Sequence, residues 1–455
     1  MSAAGTRVRK SAYSHAIAVR HLEINLNAEH ANILRIVARD IDSLLLPAIS
    51  APNLQFVGGA MKTLLERIAA SADDADAAAP EAKDWNALIA WTEVQDRRQL
   101  AGAQTSRSDG WAQSGSGQVM KSAGAAEVAR TKPITAESLL PYLQRRAEFS
   151  WVRELTVAQA PGGFSKDTFL VRLHGEARES GMVLRRDQAF RPLLTSVVDE
   201  AGVLGELAAA GFPVPQPLWV EADPQHFGAA VLATSWIDGS ADEKRWSADP
   251  ARAQRVLADA AQLLARLHAY PLERIAASGS GVPGSCGETP AAMVADLAAF
   301  WSRIRPAENP LMERVLAWLA AQAPQGFARR AIVHADFGFH NLMVKDDCIV
   351  GLLDWEFWHV GDPREDLAYT RAFVERLMPW DEFRPLYEAA GGVRSDAQTD
   401  RFYAVLGGVR VAMGCYALQH AAKHEPECLD SKMVYVGQSF AHRFLIDAAR
   451  VAATE

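Results

Sequence analysis

Residues 332–356 read IVHADFGFHNLMVKDDCIVGLLDWE, and this stretch decides the fold. Two apolar pieces rich in β-branched residues, 342–344 and 348–353, flank a Lys-Asp-Asp sequence, which predicts a tight β-hairpin. The open ends of such a hairpin lie side by side. The side-chain oxygen of Asn341 and the carboxylate of Asp354 are therefore brought to one place, as hard oxygen ligands of the kind that Mg²⁺ prefers.

Asp336 lies five residues before Asn341, on the loop that enters the hairpin. The pattern His-x-Asp-x-x-x-x-Asn, followed by strand, turn, strand and Asp, resembles the catalytic and metal loops of the protein-kinase-like superfamily. The sequence around His334, the Asp-Trp-Glu at 354–356 and the Gly-Asp-Pro at 361–363 resemble the aminoglycoside phosphotransferase (APH) family of small-molecule kinases. The resemblance covers roughly residues 147–455. It implies an α+β, bilobal protein-kinase-like fold.

The resemblance also implies ATP-dependent phosphoryl transfer with Mg²⁺, and it gives roles to individual residues. Asp336 would orient the acceptor hydroxyl and accept its proton, while Asn341 and Asp354 would bind the metal. His334 would brace the catalytic loop rather than transfer protons. Ala335 stands where the family commonly has glycine, and we expect no loss of function from this small replacement.

Three acidic residues after the hairpin receive supporting roles in this interpretation. Glu356 would support or join the metal site, and the sequence leaves open which. Asp362 and Asp366 would tie the catalytic loop to the helix that follows. Without the joint spacing of all these motifs, scattered acids on a surface loop would be the simpler explanation.

A nucleotide-binding turn is predicted between two strands of the small lobe, at 161–168. Its two glycines allow backbone N–H groups to approach a phosphate closely, and neighbouring side chains can add donors. A Gly-Gly hairpin alone is weak support, because most are only turns. The residues predicted to cap the phosphates are Gly162, Gly163, Ser165 and Lys166.

Arg185 stands at the strand position where protein kinases carry the lysine that holds the nucleotide phosphates. An arginine can also hold phosphate, through its two-pronged donor geometry. Glu200 falls within the apolar stripe of the helix predicted at 193–210, so it needs a cationic partner unless it reaches solvent at the stripe's edge. We expect Arg185 to be that partner. The resemblance further implies that main-chain groups of Thr234, Ser235 and Trp236 meet the purine.

The first hundred residues lie outside the resemblance. Apolar residues at three- and four-residue steps predict amphipathic helices at 27–46, 53–70 and 85–100. We expect residues 1–101 to form a helical appendage that packs on the rest of the chain or on another subunit, for instance in a homodimer. A regulatory module is the alternative. Residues 102–130 read as a flexible linker, 131–239 as the N-lobe and 240–455 as the helical C-lobe.

The composition excludes several classes of protein. The net charge is −8 over 455 residues, which argues against a nucleic-acid partner, since that needs a basic face. The four cysteines are isolated and predict reduced thiols without a zinc site. No apolar run reaches the ~20 residues of a membrane span. We therefore expect a cytoplasmic enzyme.

The acceptor is the least determined part of the prediction. Residues 355–394 mix acids with arginines and aromatics, which favours an apolar or anionic alcohol, such as a hydroxyacid or hydroxyacyl-CoA, over a polycationic antibiotic. The alternative is that these aromatics are core and these arginines solvated. An aminoglycoside or macrolide kinase remains the competing function. A nucleotide-binding pseudokinase or scaffold is a second alternative.

Overall fold

The computed structural model describes residues 84–99, 132–160, 166–188, 195–277, 288–305, 309–426, 429 and 431–454. The helices predicted at 27–46 and 53–70, the predicted linker and the glycine turn at 161–165 lie outside these residues.

The small lobe is a five-stranded sheet in the order β1-β2-β3-β5-β4, with antiparallel neighbours throughout. Its strands alternate apolar and polar residues, so Phe169, Val171 and Leu173 of β2 all face one core. The elements of this lobe are β1 (Glu154–Gln159), β2 (Lys166–His174), β3 (Glu179–Asp187), β4 (Pro217–Glu221), β5 (Val231–Ser235), and the helices α2 (Ala136–Gln144), α3 (Val197–Ala209) and α4 (Pro224–Phe227).

Helix α3 is shorter than the predicted span of 193–210 and begins after Ser196. The Ser196 hydroxyl accepts a hydrogen bond from the Val198 N–H, and the Asp199 carboxylate accepts one from the N–H of Ser196. These reciprocal bonds satisfy donors that the first turn would otherwise leave unpaired. The capped start fixes where Glu200, one turn into the helix, can reach.

Shortly after β5, the chain forms backbone hydrogen bonds to the hairpin predicted at 342–353. Ser240 and Val344 exchange two backbone hydrogen bonds of 2.9 and 3.0 Å. Gly239 and Gly351 permit this approach, because a Cβ on Gly239 would lie 2.8 Å from Val350 and one on Gly351 would lie 2.7 Å from Ile237. The lobe connection therefore holds the hairpin directly.

The large lobe is mostly helical and contains two apolar cores. One surrounds α6 and joins the catalytic segment to the small lobe's α3, and the other lies between α8, α9, α12 and α13. The helices are α5 (Lys244–Ser247), α6 (Pro250–His268), α7 (Leu272–Ala277), α8 (Pro290–Ile304), α9 (Pro310–Gln322), α10 (Arg364–Val374), α11 (Trp380–Ala389), α12 (Ala397–His424) and α13 (Ser431–Ala453). The strands are β6 (Ala331–Val333), β7 (Leu342–Lys345), β8 (Cys348–Leu352) and β9 (His359–Gly361).

Helix α1 (Trp85–Gln99) is the part of the predicted appendage that the structure describes, and it packs on the large lobe. Leu88 and Ile89 are buried in the second core. Glu93 pairs with Arg450 of α13 at 2.7 Å. This helix therefore packs on the rest of the same chain. None of the helices in the described ranges is long and apolar enough to cross a membrane.

Candidate active site

Asp336 is held by several donors at once. Its carboxylate accepts a hydrogen bond from the Asn341 amide at 2.8 Å, and Nε2 of His340 lies 3.4 Å from its Oδ1. The Tyr369 hydroxyl also donates to this carboxylate. Burial alone would raise the pKa of Asp336, but hydrogen bonds from His340 and Tyr369 lower it. The group is thus an oriented carboxylate at neutral pH.

The His334 imidazole uses both ring nitrogens within the loop. Its Nδ1 accepts from the N–H of Asp336 at 3.2 Å, and its Nε2 bonds the carbonyl of Leu353 at 2.9 Å. Because a backbone N–H only donates and a carbonyl only accepts, the ring is the neutral tautomer with its proton on Nε2. Neither nitrogen remains for a substrate, which supports the bracing role.

Asp366, at the start of α10, ties the catalytic loop to the large lobe. Its buried carboxylate accepts from the N–H groups of His334 at 2.9 Å and Ala335 at 2.7 Å. It also bonds Nε2 of His268 at 3.0 Å, and Nδ1 of that ring bonds the Tyr387 hydroxyl at 2.8 Å. The expectation that Asp366 ties the loop to the following helix is confirmed.

Two residues that flank the hairpin adopt the left-handed backbone conformation, which residues other than glycine rarely take. Ala335 has φ 62° and Asp354 has φ 63°. Such positions cost on the order of 1–3 kcal/mol each and persist where surrounding contacts impose them. The bond from the Ala335 N–H to Asp366 is one such contact. The left-handed φ of Ala335 also explains why the resembled family commonly has glycine at this position, since glycine adopts this conformation without the steric cost.

The predicted hairpin is confirmed. β7 and β8 pair antiparallel across Asp346 and Asp347, whose φ values of 49° and 62° are those of a two-residue type I′ turn. At its open end the N–H of Leu353 donates to the carbonyl of Asn341 at 2.8 Å. Leu353, which precedes Asp354, is therefore bonded to Asn341, so the backbones of the two predicted metal ligands lie side by side at the open end of the hairpin.

The chemistry of this pair fits Mg²⁺. The Asn341 amide nitrogen is committed to Asp336, so its side-chain oxygen is the group turned away from that carboxylate. The Asp354 side chain is about one-third exposed. Mg²⁺ is commonly held by one or two carboxylates together with substrate phosphates. No group of three or more His, Cys, Asp or Glu in the described ranges could hold a metal ion, and this mode of binding needs none.

The guanidinium group of Arg185 lies close to three carboxylates at the junction of the lobes. Its guanidinium bonds Glu200 at 2.7 Å and Asp354 at 2.5 Å, and Glu356 lies at 3.7 Å. Burial opposes the charge, but the three acids together raise the pKa of Arg185. The predicted contact between Arg185 and Glu200 is confirmed. Glu356 is in turn fixed by the Thr195 N–H, which donates to its carbonyl at 2.9 Å.

Comparison with known proteins identifies the family. The profile of the phosphotransferase enzyme family, APH, matches residues 156–404, more than half of the chain. The chain belongs to this family. It is therefore a phosphotransferase of the small-molecule kinase class, and the catalytic segment described above lies within the matched region.

The relatives fall into two groups. The chain is 30% identical over 230 residues to the acyl-CoA dehydrogenase family member 11 of Gallus gallus, a match that covers 48% of this chain and 28% of that protein. It is 29% identical over 239 residues to the viomycin phosphotransferase of Streptomyces vinaceus, covering 50% of this chain and 77% of that protein. The acyl-CoA dehydrogenase relatives are matched over 22% to 37% of their length.

A solved structure agrees on the fold. A provisionally assigned aminoglycoside phosphotransferase from Ralstonia eutropha superposes with a TM-score of 0.53 at 20% identity, over 70% of this chain and 97% of that one. At this identity the likeness concerns the fold alone. With the α+β elements described above, it confirms the bilobal kinase-like prediction for this APH chain.

The position of Lys166 corrects one prediction. Its ammonium group is buried, bonds the carbonyl of Thr195 at 2.6 Å, and lies 2.9 Å from Glu200 and 3.5 Å from Asp187. Its one hydrogen bond and its two ion-pair contacts all lie inside the small lobe. Lys166 therefore does not cap phosphates from the turn. It holds one oxygen of Glu200 while Arg185 holds the other.

The structure describes some, but not all, of the other residues predicted to contact the nucleotide. Gly162, Gly163 and Ser165 lie outside the described residues, so their role stays a prediction. Thr234 and Ser235 end β5, and the N–H of Ser235 donates to the carbonyl of Gln216 at 2.8 Å. That N–H is thus already used within the sheet and is not a group that a purine could take.

The environment of the aromatic and arginine residues at 355–394 differs from the one that the prediction of an apolar or anionic acceptor assumed. Trp355, Trp358 and Trp380 are buried and belong to the core. The arginines pair with carboxylates rather than standing free. These pairs are Arg364–Asp362, Arg371–Glu375, Arg376–Glu243, Arg384–Asp381 and Arg394–Glu388. The open alternative fits better, since the tryptophans are core and four of the five arginines are at least partly exposed, while Arg364 is buried against Asp362.

His340 and Tyr369 are site residues that the sequence analysis missed. His340 lies inside the motif but at one of its variable positions, so the spacing carried no signal for it. Tyr369 comes from α10, more than thirty residues later. Its position one turn after Asp366 on that helix, whose start is tied to the catalytic loop, is the signal that could have found it.

Proposed function

We propose that this enzyme transfers the γ-phosphoryl group of ATP, with Mg²⁺, to a hydroxyl group of a small molecule. The observation that carries the proposal is Asp336. A carboxylate has about four acceptor positions; the Asn341 amide takes one, and His340 and Tyr369 lie beside the group. The carboxylate is thus oriented and keeps acceptor capacity for a hydroxyl.

Each neighbouring group has a role in this reaction. Asp336 orients the hydroxyl and takes its proton. Asn341 and Asp354 would hold Mg²⁺, which when bound neutralises charge on the phosphates. Arg185, fixed by Glu200, would leave Asp354 and contact the phosphates. The glycine turn would cap those phosphates, and main-chain groups after Ser235 would meet the purine.

A hydroxyacid or hydroxyacyl-CoA is the acceptor that we propose. The relatives named acyl-CoA dehydrogenase family members point to acyl-CoA chemistry. The charges do not separate the candidates, because Glu243 and Glu375 are paired with arginines and neither sign of charge is left free in these pairs.

An antibiotic kinase is the second candidate. The viomycin phosphotransferase is matched over 77% of its length, much more than the acyl-CoA dehydrogenase relatives. A pseudokinase is disfavoured because Asp336, Asn341 and Asp354 are all present and held together by the loop and hairpin described above.

A phosphorylation screen with radiolabelled ATP tests the proposal. The purified chain would be offered hydroxyacids, their CoA thioesters, amino sugars, macrolides and viomycin, with Asp336→Asn as the inactive control. We expect label on a hydroxyacid or its thioester with the natural chain only. Label on an amino sugar or viomycin, with resistance in a sensitive host, would favour the second candidate. ATP binding without transfer to any acceptor would favour the pseudokinase.

A further inference from the structure

A glycine inside the catalytic loop leaves room for a histidine side chain. Gly338 has φ −108° and ψ 161°, an extended conformation that any residue adopts, so its backbone does not require glycine. A Cβ at this position would lie 2.5 Å from Cε1 and 2.8 Å from Nδ1 of His340, and 2.9 Å from Cζ of Phe373. The missing side chain is what lets the His340 ring fold back over residue 338.

The folded-back ring is placed beside Asp336. Its Nε2 is 3.4 Å from Oδ1 of that carboxylate, and its ring contacts Phe373 in a tilted arrangement with ring centroids 5.6 Å apart. Phe373 is held in turn by Tyr369, at 5.4 Å between centroids. His340 is half-exposed and Asp336 nearly buried. The imidazole therefore covers one edge of the carboxylate while remaining at the surface.

The two carboxylate oxygens of Asp336 are fixed by different partners. Oδ2 accepts from Asn341, and Oδ1 faces His340. Asn341 restrains one oxygen, and Tyr369 also contacts the carboxylate. His340 adds a contact at Oδ1, so that both oxygens are restrained and the lone pair left for a hydroxyl has a fixed direction.

We propose that His340 is a positioning residue that fixes the Asp336 carboxylate for the acceptor hydroxyl, and that Gly338 is present to admit it. This inference rests on the proposed phosphotransfer. Misplacing a reacting group by about 1 Å can cost on the order of 10²-fold in rate. Removing the donor at Oδ1 should therefore lower kcat and leave Mg·ATP binding in place, because His340 is not among the groups assigned to the nucleotide.

Two substitutions at 340 separate the donor from the ring. His340→Phe keeps a ring beside Phe373 and removes the N–H, while His340→Gln removes the ring and keeps an N–H donor of similar reach. With the acceptor found in the screen, a hydroxyacyl-CoA being the first probe, we expect His340→Phe to lower kcat roughly 10- to 100-fold. His340→Gln should recover most of that loss. Equal kcat for His340→Phe and the natural chain would overturn the proposal, as would a Gln variant no better than the Phe variant.

Gly338→Ala supplies an independent test through a double-mutant cycle. In the natural chain the new methyl group must displace His340, so kcat should fall about as far as in His340→Phe. In a His340→Ala background the same change should cost less than about threefold, apart from the contact with Phe373. Equal losses in both backgrounds would contradict the role of Gly338.

Binding and spectroscopy distinguish failure of this inference from failure of the proposed function. Mg·ATP affinity, measured by calorimetry, should stay within about twofold in the His340 variants, and a larger loss would assign His340 to the nucleotide instead. The ¹⁵N resonances of His340, identified by their absence in His340→Phe, should move in Gly338→Ala. Unmoved resonances would overturn the placement of the ring, whether or not any acceptor is phosphorylated.

Discussion

Asp336 is better understood as an oriented group than as a strong base. Its donors lower its pKa, and a weaker base takes a proton less readily. Phosphoryl transfer passes through a loose transition state in most analyses, so catalysis depends mainly on positioning and on charge neutralisation. An oriented carboxylate with a low pKa meets that requirement.

The division of roles between two aspartates gives the first prediction. Asp336→Asn should abolish transfer and leave Mg·ATP affinity nearly intact, because this residue faces the acceptor. Asp354→Ala should weaken Mg·ATP binding as well, because its carboxylate would hold the metal that bridges the phosphates. Calorimetry of Mg·ATP binding beside a transfer assay measures both. Equal losses of nucleotide affinity in the two variants would refute the division.

Lys166 gives the second prediction. Lys166→Met would leave the buried Glu200 and Asp187 with one cation fewer, and breaking a buried pair typically costs 3–5 kcal/mol. We expect a loss of that size in the free energy of unfolding, measured by urea denaturation, with weaker Mg·ATP binding because Arg185 loses its support. Lys244→Met, at an exposed lysine, is the control and should change stability by less than about 0.5 kcal/mol. Unchanged stability with a raised KM for ATP would restore the phosphate-capping role.

The two basic residues near Glu200 show what sequence can and cannot predict about a side chain. Arg185 was predictable because the helical period placed an acid on an apolar face, which demands a cation. Lys166 was assigned from its proximity to two glycines in the chain. The contacts that orient its side chain join β2 to α3 and to Thr195, two residues before that helix, across about thirty residues. No local sequence pattern indicates them.

At the scale of elements, α10 begins in a buried polar network. Glu365 accepts from Arg410 of α12 at 2.5 Å, and Nε2 of His359 lies 3.2 Å from the same carboxylate. Next to it, Asp362 accepts from the N–H of Ala328 at 2.8 Å and pairs with Arg364. These contacts fix the start of the helix that carries Asp366 and Tyr369. The network thus helps to position the catalytic loop, because Asp366 at the start of this helix bonds the N–H groups of His334 and Ala335.

This network gives a prediction about acid stability. Burial would raise the pKa of Glu365, but Arg410 and His359 lower it to about 2 from an ordinary 4.5. A depressed pKa contributes stability that is present above pH 4.5 and lost as the pH falls towards 2. The stability difference between the natural chain and Glu365→Gln should therefore shrink below pH 4.5, by on the order of 3 kcal/mol over the whole range.

Urea unfolding at pH 7, 5, 4 and 3.5 measures this difference. Glu382→Gln, at an exposed position, serves as the control for the general effect of losing one carboxylate. A constant difference between Glu365→Gln and the natural chain across the series would show that the network does not favour the ionised form of Glu365.

Elements with a sustained period were the most predictable. The hairpin followed from two short apolar pieces around a polar turn, and the helix from 85 to 100 from its apolar repeat. Helix starts were less predictable, since α3 begins four residues later than its apolar pattern and is set by its cap. The back-folding of His340 depends on a missing side chain two residues away, which no periodicity reveals.

At the scale of the whole molecule, α1 lies far along the chain from the elements it contacts. Leu88 is fully buried against the large lobe, and Trp85 stacks on the guanidinium of Arg314 at 4.8 Å. The helix therefore completes a core formed by elements between residues 290 and 453. Association of two chains through the N-terminal helices stays a prediction, and this face of α1 is already occupied within one chain.

The packing of α1 gives the last prediction. Leu88→Ala should lower the free energy of unfolding by 2–5 kcal/mol, the usual cost of truncating a buried leucine. Asn86→Ala, on the exposed side of the same helix, should change stability by less than about 0.5 kcal/mol. The apolar residues that flank the catalytic side chains, such as Phe337 and Trp355, belong to the other core, so kcat and KM at a temperature where both variants stay folded should match the natural chain. Full stability in Leu88→Ala would mean that α1 does not pack here. A changed KM at full folding would instead connect this helix to the active site, as a regulatory module would require.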